Sequence, residues 1–176
     1  MKNLTQKLYV FVEGKDDERL TRIIIQKCYP QYAPIFFRYV AAQSALIREI
    51  VGRLRSDDDL YVMFTDKDHF TCNITRKQDR KNEYDVEEKR IIVVNSSIES
   101  WYAAGAKTSV FNSQGNRSET INKQRFNLLI GRAAFHTRVL ENIVEDFDTN
   151  AAIQKNKSFK YFYKKLKQLL GNNAGT

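Results

Sequence analysis

Cysteine is scarce in this chain. Among 176 residues only Cys28 and Cys72 carry a thiol, and their spacing suits neither a disulfide framework nor a zinc ribbon. A reducing, cytoplasmic setting is the expectation. Two prolines and seven glycines are few, and no stretch rich in Pro, Gly or Ser marks a linker. Long apolar runs are missing as well. Nothing approaches the ~20 residues of a membrane helix, and the opening MKNLTQK lacks the apolar core of a signal peptide. No G-x-G-x-x-G occurs, which removes the fingerprint of a dinucleotide site. Acidic charge is in deficit: 21 Asp and Glu stand against 29 Lys and Arg, for a net +8 and a pI near 9.4. A basic balance favours polyanions, nucleic acid before anionic membrane.

What is present reads as one globular unit with a proper core, since 42% of residues are hydrophobic and 28% charged. Two stretches organise it, Leu8–Asp17 (LYVFVEGKDD) and Leu60–Asp68 (LYVMFTDKD). Each is a short apolar run of β-branched and aromatic residues that ends in acids, the pattern of a buried parallel strand. Ligands of open α/β sheets gather beyond the carboxyl ends of such strands. Glu13, Asp66 and Asp68 are therefore expected to meet, and three carboxylates in one place call for a cation between them. Hard oxygen donors suit Mg²⁺ or Mn²⁺.

Taken in order, Asp16, Asp17 and Glu18 open a helix that carries Leu20, Ile23, Ile24 and Cys28, with Asp16 as its cap. Pro30 and Pro34 end it, and Pro34–Val40 reads as a strand. Ser44 is the expected N-cap of a second helix with an apolar stripe of Leu46, Ile47, Ile50, Val51 and Leu54. The segment Phe70–Glu88, dense in charge, is the least regular part and reads as a frayed helix or a mobile loop near the site. Arg90–Asn95 contains IIVV, a further buried strand, with Glu99 just beyond it and the aromatics Trp101 and Tyr102 as packing residues. A loop over Val110–Arg117 precedes one helix across about Lys123–Asp146 and a last one over Ser158–Leu170, and the tail GNNAGT reads as disordered. The β-α-β-α-β alternation predicts an α/β fold, a parallel sheet flanked by helices. A core over residues 1–110 and a helical extension over 111–172 packed on it complete the expected organisation.

The order strand–Glu-Gly-x-x-Asp–helix, then strand–Asp-x-Asp, carried by Val12-Glu13-Gly14-Lys15-Asp16-Asp17 and Phe64-Thr65-Asp66-Lys67-Asp68, resembles the TOPRIM domain. That domain is shared by topoisomerases, bacterial primases, OLD-type nucleases and small ribonucleases that mature ribosomal RNA. EGKDD looks most like the last two groups, and IESWYAAG is similar to small stand-alone TOPRIM proteins. The resemblance covers about Leu8–Gly105. It implies a Rossmann-like TOPRIM sheet and a metal-dependent nuclease that cuts DNA or RNA, in phage defence or RNA processing, alone or with a protein partner. It implies that Asp66 and Asp68 hold Mg²⁺ or Mn²⁺, and that Glu13 acts as general acid/base or shares the metal. Asp17 is the second acid of the motif, and Glu99 is a further candidate ligand. Lys15 and Lys67 beside these acids would contact phosphate, as cations near a metal site assist phosphoryl chemistry. Apart from the resemblance, Lys160, Lys164, Lys165 and Lys167 read as a solvated helix face or as a backbone-binding stripe. His69, next to Asp68, has a weaker claim on catalysis. The competing class is a binding module that keeps the fold without the chemistry. A receiver-like phosphotransfer protein wants a Lys at the end of a later strand, and IIVVNSS has none.

Overall fold

The structure is a computed structural model, and it describes residues 6–40, 43–57, 59–67, 72–95, 97–107, 111, 118–131 and 136–171. Four strands form one parallel sheet: β1 (Gln6–Val12), β2 (Tyr32–Arg38), β3 (Tyr61–Asp66) and β4 (Ile91–Val94), in the order β2-β1-β3-β4. Around them run α1 (Lys15–Cys28), α2 (Ser44–Ser56) and α3 (Asn73–Tyr84), followed by α4 (Ile98–Gly105), α5 (Lys123–Ile130), α6 (His136–Glu145), α7 (Thr149–Lys155) and α8 (Lys157–Gly171). The chain divides into two compact units, Met1–Val93 and Val94–Thr176, so α4 belongs with the C-terminal helices.

In the first unit β1 is a central strand. Its register pairs Val10 with Phe36 of β2 and Val62 of β3, and Phe11 with Phe37 and Met63. Side chains alternate across a strand, and the two sets have different cover. Phe11, Tyr61, Met63 and Val93 join Ile47, Val51 and Leu54 of α2 and Tyr84 of α3 in one cluster. On the opposite face Arg22 of α1 lies over the Phe36 ring at 4.4 Å from its centroid. Helices thus cover both faces, which is why Leu8–Val12 of β1 and Tyr61–Phe64 of β3 are apolar at successive rather than alternate positions.

Local chemistry adjusts several expected boundaries. The second strand starts at Tyr32, two residues before Pro34, because Pro34 loses nothing at an edge strand whose N–H side is unpaired there. Helix α1 is capped by neither Asp16 nor any other side chain; Gly14 is its N-cap residue, and Asp16, Asp17 and Glu18 fill the first turn. Ser44 is likewise the first helical residue of α2 rather than its cap, and Leu46 stands 53% exposed outside the buried stripe.

Of the two readings open for Phe70–Glu88, the structure shows the helix, α3. The stretch that shows no apolar period is a helix of three turns. Its inward face consists of Arg76, Arg80 and Tyr84 at four-residue spacing, with Arg76 only 3% exposed. Hydrophobic periodicity cannot register a helix that packs through guanidinium groups. Asp85, left-handed at φ 57°, ends it, and Arg48 of α2 donates to the Glu83 and Asn82 carbonyls of its last turn at 2.7 and 2.6 Å.

The second unit packs around aromatic rings. Trp101 of α4 meets Phe159 edge-on at 5.4 Å and Phe162 at 4.6 Å, and its indole N–H donates to Ser158 Oγ at 3.3 Å. Trp101 and Tyr102 are both fully buried, as packing residues should be. Asn156, also fully buried, accepts from the Phe159 N–H at 2.9 Å and so caps the first turn of α8. The single helix expected over Lys123–Asp146 is two, because Gly131 leaves the helical region at φ 86°. A short helix, α7, stands where no element was expected. The expected loop is described only at Phe111, and the tail lies outside the described residues.

Candidate functional site

The strand order fixes where a site belongs. The chain steps from β1 outward to β2 and then returns across β1 to β3, so the direction of winding reverses between β1 and β3. The crevice outside the carboxyl ends of two such strands is where open α/β sheets bind ligands. Glu13 directly follows β1 and Asp66 is the last residue of β3. The sequence expectation that these two acids lie at adjoining strand ends holds.

Glu13 is not surrounded by acids, however. Its Oε1 accepts from Thr65 Oγ1 at 2.6 Å, from the Tyr39 hydroxyl at 3.1 Å, and from Arg76 Nη2 and Arg80 Nη2 at 3.1 and 3.3 Å. Each donor is itself held. The Tyr39 hydroxyl also donates to the Phe64 carbonyl at 2.7 Å, and the Tyr39 N–H donates to the Val12 carbonyl at 2.9 Å. Arg76 Nε donates to the Asp66 carbonyl at 2.7 Å and its Nη1 to Asp79 at 3.2 Å. Arg80 Nε donates to Thr65 Oγ1 at 3.1 Å, its Nη1 pairs with Glu83, and its guanidinium lies over the rings of Tyr39 and Tyr84. The ends of β1, β2 and β3 and the buried face of α3 thus converge on a single carboxylate oxygen.

Electrostatics follow from this closure. Burial pushes the Tyr39 phenol well above its ordinary 10.0, and the nearby Glu13 charge adds to the effect. Burial opposes the charge on Arg80, yet Tyr39, Glu13 and Glu83 outweigh it and raise the guanidinium further. Tyr84 rises through burial and through Glu83.

The remaining candidates are spread more widely. Asp17 folds back over the β1–α1 turn: a Cβ on Gly14 would stand 2.8 Å from its Oδ2. Gly14 is extended at φ −132°, so glycine is needed there for that close approach and not for an unusual backbone. Lys15 is exposed and Lys67 half-buried, and neither makes a hydrogen bond or ion pair among the described residues. Lys67 lies near enough to Cys72 to help lower that thiol, whose main cause is hydrogen bonding from Thr75. Asp68 and His69 lie outside the described residues. Glu99 is 8% exposed in α4 of the second unit. Lys160, Lys164 and Lys167 share the exposed face of α8, while Lys165 sits half-buried beside the Tyr161 ring.

Whether a divalent ion fits depends on what oxygen remains. Oε1 of Glu13 is engaged fourfold, while Oε2 accepts no hydrogen bond among the described residues, and the side chain is 29% exposed. Asp66 supplies a second carboxylate one strand away. Two hard-oxygen groups are the kind of donor that Mg²⁺ or Mn²⁺ takes, but two guanidiniums already balance Glu13. Among the described residues no cluster of three His, Cys, Asp or Glu stands ready to hold a metal.

Arg76 and Arg80 are the partners of Glu13 that charge density hides. Their spacing with Tyr84, i, i+4, i+8, was the available signal. Compared with known proteins, the chain matches no family model, no curated protein and no solved structure.

Proposed function

We propose that the first unit is a divalent-metal-dependent phosphodiesterase acting on nucleic acid, DNA or RNA, in the reducing cytoplasm that two cysteines outside any disulfide suit. The observation that carries this reading is the position of Glu13 and Asp66 at the two strand ends flanking the reversal of the sheet. Asp66, with Asp68 beside it in sequence, would hold Mg²⁺ or Mn²⁺. When bound, the ion neutralises charge on the phosphodiester and makes water a better nucleophile. The chain's own groups do the rest. Arg76 and Arg80 fix the Glu13 carboxylate through Oε1, which leaves Oε2 to accept a proton from the attacking water. Thr65 and Tyr39 stop that carboxylate from rotating. Arg80, 12% exposed, lies nearer to solvent than Arg76 and adds positive potential where a phosphate would dock.

A second reading has its own observation. Because two guanidiniums already balance Glu13 inside the protein, the site is stable without any ion. A nucleic-acid-binding module that does not cut would look the same.

The experiment separates them. Labelled DNA and RNA, single- and double-stranded, are incubated with the protein and Mg²⁺ or Mn²⁺. The nuclease reading expects cleavage that EDTA, Asp66→Asn and Glu13→Gln each abolish. Retarded but intact nucleic acid, equally for wild type and Asp66→Asn, supports the module instead.

A further inference from the structure

The positive charge of this chain is unevenly placed. Val94–Thr176 holds 12 of the 29 Lys and Arg but only 6 of the 21 Asp and Glu, so +6 of the net +8 belongs to the second unit. The excess is sharpest at its end: from Thr149 to Gly171 there are six lysines and no acid.

In the first unit several arginines are paired internally. Arg19 pairs with Asp16, Arg22 and Arg38 with Glu18, Arg53 with Glu49, and Arg90 with Glu87. On α8 the opposite holds: Lys157, Lys160, Lys164 and Lys167 are all exposed, and none makes an ion pair among the described residues. At about 100° per residue these four fall on one side of the helix, opposite the buried Phe159, Phe162, Leu166 and Leu170. They form a line about 15 Å long at 1.5 Å per residue. Like charges one turn apart weaken a helix, and no acid on α8 relieves them.

We infer that this face of α8 is a docking surface for the phosphate backbone of nucleic acid. An unrelieved row of ammonium groups needs an extended polyanion to offset it, and a phosphodiester chain supplies one charge per nucleotide along such a line. Tyr161, half-buried at the side of the row with the Lys165 ammonium 6.0 Å from its ring centroid, adds an aromatic surface of the kind bases stack on. An anionic membrane fits less well. A helix that lies in a bilayer buries its apolar face there, whereas the apolar face of α8 is spent inside its own unit against Trp101. This surface lies outside the strand-end site, on the other unit, and binding there does not require that any bond be cut.

The test uses the full chain carrying Asp66→Asn, so that cleavage cannot distort binding. Affinity for fluorescein-labelled 30-mers, single- and double-stranded, is followed by anisotropy across a salt series. Each lysine that contacts a phosphate contributes about 0.7–0.9 to the slope of log affinity against log salt. Changing Lys157, Lys160, Lys164 and Lys167 to Gln should lower that slope by roughly 3 and weaken binding at least tenfold, while the same four changes to Arg keep both. Circular dichroism confirms that α8 stays folded in each variant. A Gln variant that binds with the parent's slope overturns the proposal. So does a parent that binds no nucleic acid, or one whose lysine-dependent binding appears only on vesicles of phosphatidylserine and phosphatidylcholine.

Discussion

Replacing Arg76 with Met tests the convergence on Glu13 most directly. Arg76 is 3% exposed and donates to Glu13 Oε1, the Asp66 carbonyl and Asp79. Removing one partner of a buried ion pair costs about 3–5 kcal/mol. Glu13 is not stranded by the loss, since Thr65, Tyr39 and Arg80 still donate to it and its side chain is 29% exposed, which favours the low end. The Asp66 carbonyl is less fortunate. It loses a charged donor at 2.7 Å, and such a bond is worth about 1.5–3 kcal/mol. The two effects overlap in one side chain, so the expected loss is about 3 kcal/mol. With a urea m-value of about 1–3 kcal/mol/M, the midpoint should fall by roughly 1–3 M at unchanged slope. Arg76→Lys, which keeps the charge but not the forked geometry, should fall between. In the double variant Glu13→Gln/Arg76→Met the two losses should sum to less than their separate values, by about 1 kcal/mol or more. Urea melts followed by far-ultraviolet circular dichroism read all of these. A midpoint moved by less than about 0.3 M in Arg76→Met, or strict additivity in the double variant, would refute the reasoning, because the carboxylate would then not depend on its guanidinium.

Two further outcomes follow from other parts of the molecule. Gly52→Ala should raise stability by about 0.5–1 kcal/mol, since Gly52 lies inside α2 and an added Cβ meets nothing within 4 Å. Gly105→Ala should instead cost about 1–3 kcal/mol or more, because its Cβ would run into the Phe147 ring; thermal melts of the pair check both signs. Glu87 supplies a pH dependence: burial raises its carboxyl, but hydrogen bonds from Lys89 and Arg90 prevail and hold it below the ordinary 4.5. From about that value downward the unfolded chain takes up its proton first, so stability falls as the pH drops through this window, and Glu87→Gln should flatten that part of the profile in urea melts at pH 3–6.

Much of this was legible in the sequence. LYVFV and LYVMF announce two buried parallel strands because both faces are covered and every position is apolar, and the acids Glu13 and Asp66 stand at adjoining ends. The apolar faces of α1, α2 and α8 show in the same way. What the sequence leaves open is whatever packs through polarity. Helix α3 has no apolar stripe, since Ile74 is 73% exposed and its inward residues are Arg76, Arg80 and Tyr84. The break at Gly131 escaped for the opposite reason, because apolar residues continue on both sides of it and conceal a turn that only its positive φ reveals.

The hold of α3 on the sheet has a consequence for how that helix behaves. Lacking an oily underside, it is held by Glu13, by the Asp66 carbonyl and Thr65, by Arg48 of α2 at its last turn, and by Tyr84 in the apolar cluster. Segments with little buried apolar surface are drawn from the low end of local stability. Any change that disarms Glu13 therefore also loosens the lid of charge above it, so in this protein the chemistry at position 13 and the order of residues 73–84 are inherited together.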